Sequence, residues 1–145
     1  MRNSLTLLLT ICLSTLGAGA VGQFTLPQGT VVNVHTLSED LKTPEAMSLD
    51  SKGLLWVADR ATGNIWRMNA GSWKHKVGSI ALQVHPDEPS IRGNLFDVAV
   101  VDDPNSDGFI VITMYTDAYE HLIIGRSTSD GNTMSVPEPI LVVND

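Results

Sequence analysis

Cysteine is nearly missing from this chain: its 145 residues hold one, Cys12. A disulfide framework is therefore excluded, because such scaffolds need paired cysteines in an oxidising compartment. Positive charge is also scarce, with 9 Lys and Arg against 16 Asp and Glu and a net charge of −7. That balance gives no electrostatic footprint for gripping a phosphate backbone, so nucleic acid is not expected as a partner. No Asn-x-Ser/Thr sequon, G-x-G-x-x-G loop, P-loop or G-x-S-x-G elbow occurs. N-glycosylation, a nucleotide phosphate cradle and a nucleophilic serine hydrolase are thus without support. What remains, 43% hydrophobic and 17% charged residues, is an ordinary globular composition that excludes bulk disorder and collagen.

Long apolar runs are absent apart from Leu5 to Leu13, which follows a short start bearing Arg2 and precedes the small residues Ala18-Gly19-Ala20. This is the charged, apolar and A-x-A order of a secretory signal peptide over 1–20. The apolar stretch is too short for a transmembrane helix, which needs about 20 such residues. Ile11 before Cys12 speaks against a lipoprotein. Cleavage near Ala20 predicts a secreted protein with no membrane attachment. It removes Cys12 and Arg2, moving the formal charge from −7 to −8. The mature chain then has no thiolate for catalysis or zinc binding.

The rest reads as strands and turns. After a lead-in over 21–40 with a first strand at Thr30 to Leu37, short β-branched and aromatic runs alternate with Gly, Asp, Asn and Pro clusters. Strands are predicted over Ala46 to Asp50, Leu54 to Ala58, Asn64 to Met68, Leu95 to Val101, Phe109 to Thr116, His121 to Ser127 and Ile140 to Val143. Turns fall at Asp50 to Gly53, Asp59 to Gly63, Asp102 to Gly108 and Asp117 to Glu120. No stretch keeps an i, i+3, i+4, i+7 apolar stripe for three turns, so long helices are not expected. The order of strand, acidic turn, apolar strand, polar turn and strand occurs twice, pairing Asp50 with Asp102 and Gly53 with Gly108. Repeats of roughly 40 to 50 residues with about four strands each are the signature of propeller blades. The predicted fold class is therefore all-β, about two four-stranded blades of an incomplete six-bladed β-propeller over 41–145. A blade face of about 500 Å² left in water forgoes about 12 kcal/mol of burial, as much as whole-domain stability. Such a piece is expected to be unstable alone or to self-associate through exposed blade edges.

Two stretches carry a family resemblance. Leu41-Lys42-Thr43-Pro44-Glu45-Ala46-Met47-Ser48-Leu49-Asp50, Gly53 to Arg60 and Gly63 to Met68 look like the first blade of several six-bladed propellers, including gluconolactonase-like and NHL-repeat ones. Arg92-Gly93-Asn94-Leu95-Phe96-Asp97-Val98-Ala99-Val100, then Asp103 to Thr116, Leu122 to Ser127 and Pro139-Ile140-Leu141-Val142, resemble the glucose/sorbosone dehydrogenase family, soluble quinoprotein sugar dehydrogenases. The resemblance covers about Leu41 to Val143. It implies that complete relatives oxidise sugars with pyrroloquinoline quinone (PQQ) and calcium, while others are extracellular binding proteins. Arg92 falls where the family has a Gln that touches the quinone, and is the one cofactor-binding candidate. The family's His-Pro-Asp-Phe is absent, and its catalytic His lies beyond the last strand of the second blade, whereas this sequence ends at Asn144-Asp145. No residue is assigned as catalytic base or metal ligand, and this polypeptide is expected to be inactive by itself. The alternatives are a non-catalytic extracellular protein-binding module and a lactone hydrolase, whose metal-binding set is not identifiable here.

Local candidates for other chemistry are weaker. Asp103-Pro104-Asn105-Ser106-Asp107-Gly108 begins like a calcium loop, but Met114 stands where the bidentate Glu belongs, and a hairpin turn explains the same residues. His35, His75, His85 and His121 show no zinc spacing. Trp56 and Trp66 are expected to pack on each other from adjacent strands, and Trp73 to Lys76 to form an exposed strand or turn.

Overall fold

The structure, a computed structural model, describes residues 22–25, 31–34, 41–69 and 73–144. The chain divides into two units, 1–40 and 41–145. In the first, β1 (Gly22–Thr25) and β2 (Val31–Val34) pair antiparallel. The leader expected over 1–20 and the remainder of the strand expected over 30–37 lie outside the described residues.

The second unit is two four-stranded antiparallel sheets. One has the order β3 (Pro44–Leu49), β4 (Leu55–Asp59), β5 (Asn64–Asn69) and β6 (Trp73–Ser79). The other runs β7 (Leu95–Asp102), β8 (Phe109–Thr116), β9 (Leu122–Ser129) and β10 (Glu138–Val143) in the same sense. Each is a meander in which every strand neighbours the next, the plan of a propeller blade. No helix occurs among the described residues. The Lys-His-Lys segment that read as exposed strand or turn is β6, the outer strand of the first blade.

Asp50 shows how the sequence makes the first turn. Its Oδ1 accepts the N–H groups of Lys52 and Leu54 at 3.0 and 2.9 Å, and Gly53 takes a φ of 75° that a side chain would oppose. The turn closes with the Asp50 N–H on the Leu54 carbonyl. In the second blade the Asp103 N–H closes on the Gly108 carbonyl, and Asp103 Oδ1 accepts the Asn105 N–H at 3.0 Å. Asp50 therefore corresponds to Asp103 and Leu54 to Gly108, which corrects the pairing of Asp50 with Asp102 and of Gly53 with Gly108. The second turn is one residue longer, and that extra residue shifts the alternation.

The corrected register decides which way side chains face, because successive strand residues point to opposite faces. Trp56, Ala58 and Ile65 share one face of the first blade and pack against Val98, Val100, Phe109 and Val111 of the second. Trp56 meets Phe109 edge-on, with ring centroids 5.6 Å apart and planes at 65°. The expected Trp56–Trp66 pair does not form. Trp56 pairs with Arg67 and Trp66 with Val57, so the two indoles lie on opposite faces. The Trp66 ring instead lies beneath the Lys74 ammonium, 4.8 Å from its centroid.

A buried ion pair joins the blades. Asp50 Oδ2 accepts the Trp56 indole N–H at 2.9 Å and the Arg67 Nε and Nη2 at 2.9 and 2.7 Å. Arg67 Nη1 donates to the Gly131 carbonyl of the second blade at 3.2 Å, and its guanidinium stacks 4.9 Å from the Phe109 centroid. Burial alone would raise the Asp50 pKa, but the donors Trp56, Leu54 and Arg67 together hold it below the ordinary carboxylate value. Ser48 Oγ accepts the Val100 N–H at 3.1 Å, and Ser51 donates to Asp102 at 2.6 Å, so polar ties run along the seam.

Candidate functional site

The two ends of the blade pair differ. At one lie the turns 50–54 and 103–108 with the connection 130–137. A wide, open depression there is lined by Ser106, Asp107, Thr128, Asp130 and Thr133. Asp103 and Asp130 spend their carboxylates on their own loops, accepting the N–H groups of Asn105, and of Asn132 and Thr133. Among the described residues no group of three His, Cys, Asp or Glu is placed to hold a metal ion.

The other end gathers the connections 59–64, 80–94 and 117–121, and it brings together groups with chemistry. Asp59 is buried and accepts the Thr43 hydroxyl at 2.9 Å and the Lys42 N–H at 3.2 Å, while Thr43 Oγ1 accepts the Ala61 N–H at 2.7 Å. These bonds fix the turn that presents Arg60. The Asn94 N–H donates to the Thr116 hydroxyl at 3.1 Å and the Asn94 carbonyl accepts the Thr116 N–H at 2.9 Å, tying the entry of β7 to the exit of β8. Its side chain donates to the Arg92 carbonyl at 3.2 Å and accepts Arg60 Nε at 3.4 Å. The Arg60 guanidinium also lies 5.5 Å from the Phe96 centroid, and Glu45 is 3.9 Å away. Arg92, the residue singled out from sequence, is exposed on this end. Its Nη2 reaches the Ala61 carbonyl at 3.4 Å, and it meets no carboxylate among the described residues.

Beside it stands a cluster that no sequence spacing announced. Asp117 Oδ1 accepts the N–H groups of Tyr119 and His121, at 2.8 and 3.1 Å, and its Oδ2 accepts the His121 Nδ1–H at 2.9 Å. Burial pulls the Asp117 pKa upward, but the His121 bond and the two amides hold it below the ordinary value. The turn requires Glu120 at a φ of 64°, the single positive value among described non-glycine residues. Tyr119 projects from it, 56% exposed, with the His85 ring 5.1 Å away and the His121 ring 6.0 Å away. His85 Nδ1 accepts the N–H groups of Asp87 and Glu88, which leaves its proton on Nε2. The polar run Asp117 to Glu120 was legible only as a turn, and His121 as the start of the next strand, since His85, from a distant connection, completes the group.

No family model matches the chain, and no curated protein matches it in sequence. Its fold is that of a propeller segment. The chain is similar to the PQQ-bound aldose sugar dehydrogenase of Streptomyces coelicolor, with 20% identity and a TM-score of 0.58 over 86% of this chain. It spans 34%, about a third, of that protein's length.

Proposed function

We propose that this chain contributes adjacent N-terminal blades to an exported, glucose/sorbosone dehydrogenase-like sugar oxidoreductase that works with PQQ, and that residues 1–20 direct the export. The likeness to the PQQ-bound aldose sugar dehydrogenase along most of the chain carries the reading. Arg92 adds to it, because an exposed guanidinium without a carboxylate partner fits a quinone that bears carboxylates. Arg60, anchored beside it by Asn94 and Phe96, offers a second cation. The quinone, when bound, accepts the electrons of the sugar. The contribution of this chain is to hold its anionic edge.

Equilibrium dialysis of PQQ against the purified chain tests this. Retention is expected, weakened about tenfold by Arg92→Ala, the size of a lost charge-assisted hydrogen bond. Retention indifferent to that substitution, or none, overturns the cofactor reading. Dye reduction with aldoses by this polypeptide alone is expected to be nil. A second reading, a non-catalytic extracellular module that meets a protein partner, is favoured by β10, whose six residues are all exposed. Absence of PQQ retention together with capture of a partner on β10 would establish it.

A further inference from the structure

Tyr119 is more than half exposed. Two imidazoles lie against its ring, His85 in an edge-on contact with centroids 5.1 Å apart and His121 at a 31° tilt with centroids 6.0 Å apart. Both imidazoles are fixed by bonds to their Nδ1 atoms, but with opposite consequences. His85 Nδ1 accepts two backbone N–H groups, so Nε2 is its donor. His121 Nδ1 donates to Asp117, so in the neutral ring Nε2 is an acceptor. The cluster thus offers an aromatic face, one hydrogen-bond donor and one acceptor in a small space, with the tyrosine hydroxyl able to do either.

We propose that Tyr119, flanked by His85 and His121, is a stacking platform for a neutral sugar ring. A sugar has apolar C–H faces that suit an aromatic platform and hydroxyl groups that both donate and accept, so each His takes the complementary role. Charge selects among sugars. The segments that carry the cluster, 85–91 and 117–121, bring four acids, Asp87, Glu88, Asp117 and Glu120, and no Lys or Arg, the nearest in sequence being Arg92 on the adjoining stretch. They disfavour uronates and sugar phosphates, and leave a neutral saccharide as the ligand class. The subsite rests on the sugar-oxidoreductase reading for its choice of face, and on these residues for its chemistry. Thr116, bonded to Asn94, connects it to the Arg92 loop, so a sugar here lies on the same end as the anion-facing cation.

The test is saturation-transfer NMR on the purified chain, with glucose as the neutral probe and glucuronate as the anionic one. Weak glucose binding is expected, with transfer to the sugar from aromatic protons. Tyr119→Ala should weaken it about tenfold while Tyr119→Phe retains most of it. Tyr119 is exposed, so both variants should keep the far-ultraviolet circular dichroism of the parent. Glucose transfer unchanged in Tyr119→Ala, or glucuronate binding as tightly as glucose, overturns the proposal. PQQ dialysis separates the two readings. Tyr119→Ala that loses glucose but keeps PQQ confirms the subsite as separate from the cofactor. Loss of PQQ by Arg92→Ala with glucose binding intact leaves the subsite standing, and failure of PQQ retention by the parent sinks only the cofactor reading.

Discussion

The two blades follow one plan and meet different fates. In the first, β4 is buried at all five positions, so its run Leu55 to Asp59 is covered on both faces. In the second, β8 alternates, with Phe109, Val111 and Thr113 buried against the first blade and Ile110, Ile112 and Met114 half-buried on the far face. By the corrected register, that far face corresponds to the face of the first blade that carries Trp56, Ala58 and Ile65. There the second blade covers it, whereas beyond the second blade Val101, Leu141 and Val143 stay about half exposed. The outer strands differ in the same direction. β6 carries Lys74, His75 and Lys76, charges and polar groups of the kind that discourage edge pairing. β10 has Glu138 and Pro139 at one end and then Ile140-Leu141-Val142-Val143. A continuous hydrophobic run therefore specifies a strand that can be covered twice, and its neighbours decide whether it is.

The strongest way to break the comparison is at Arg67, whose counterpart in the second blade is Thr128. Arg67→Ala leaves Asp50 buried without its main partner and should cost about 3–5 kcal/mol in urea unfolding, against about 0.5 kcal/mol for Thr128→Ala. The same site governs the acid limb. Because the folded Asp50 pKa is lowered, its contribution is present above about pH 4 and lost as acidification passes through that lowered value. Asp50→Asn should flatten that part of the stability–pH profile.

A middle-sized effect contrasts two glycines of positive φ. Gly131 has a φ of 89° and an added Cβ would collide with the Arg67 guanidinium, whereas Gly53, at 75°, has nothing within 4 Å. Alanine at Gly53 should cost about 1–2 kcal/mol, the left-handed penalty alone. Alanine at Gly131 should cost more and lower the melting temperature further. Smallest in stability is Val142→Lys on β10, within about 0.5 kcal/mol for an exposed site. It should nonetheless shift sedimentation toward monomer; an unchanged distribution would show that the bare edge does not associate.

Turn chemistry made much of this fold legible. Asp50 to Gly53 and Asp59 to Gly63 are turns, and β8 occupies the predicted Phe109 to Thr116. β6 was legible only over Trp73 to Lys76, as an exposed strand or turn, because an outer strand with Lys, His and Gly shows no apolar alternation. The placing of Trp56 and Trp66 failed for a different reason: which face a residue takes depends on cross-strand register, which composition does not carry. At the candidate site, Arg92 was visible through resemblance. Tyr119 gained its meaning only when the fold brought His85 beside it.

The tie from Arg67 to the Gly131 carbonyl spans 64 residues of sequence. On a ribosome, the first meander, which carries both Arg67 and Asp50, emerges before Gly131 is synthesised, so one arm of that guanidinium has to wait for its carbonyl. The seam between the two blades is thus latched from the loop ahead of β10, so their mutual orientation is acquired only after that loop has been made and has swung back.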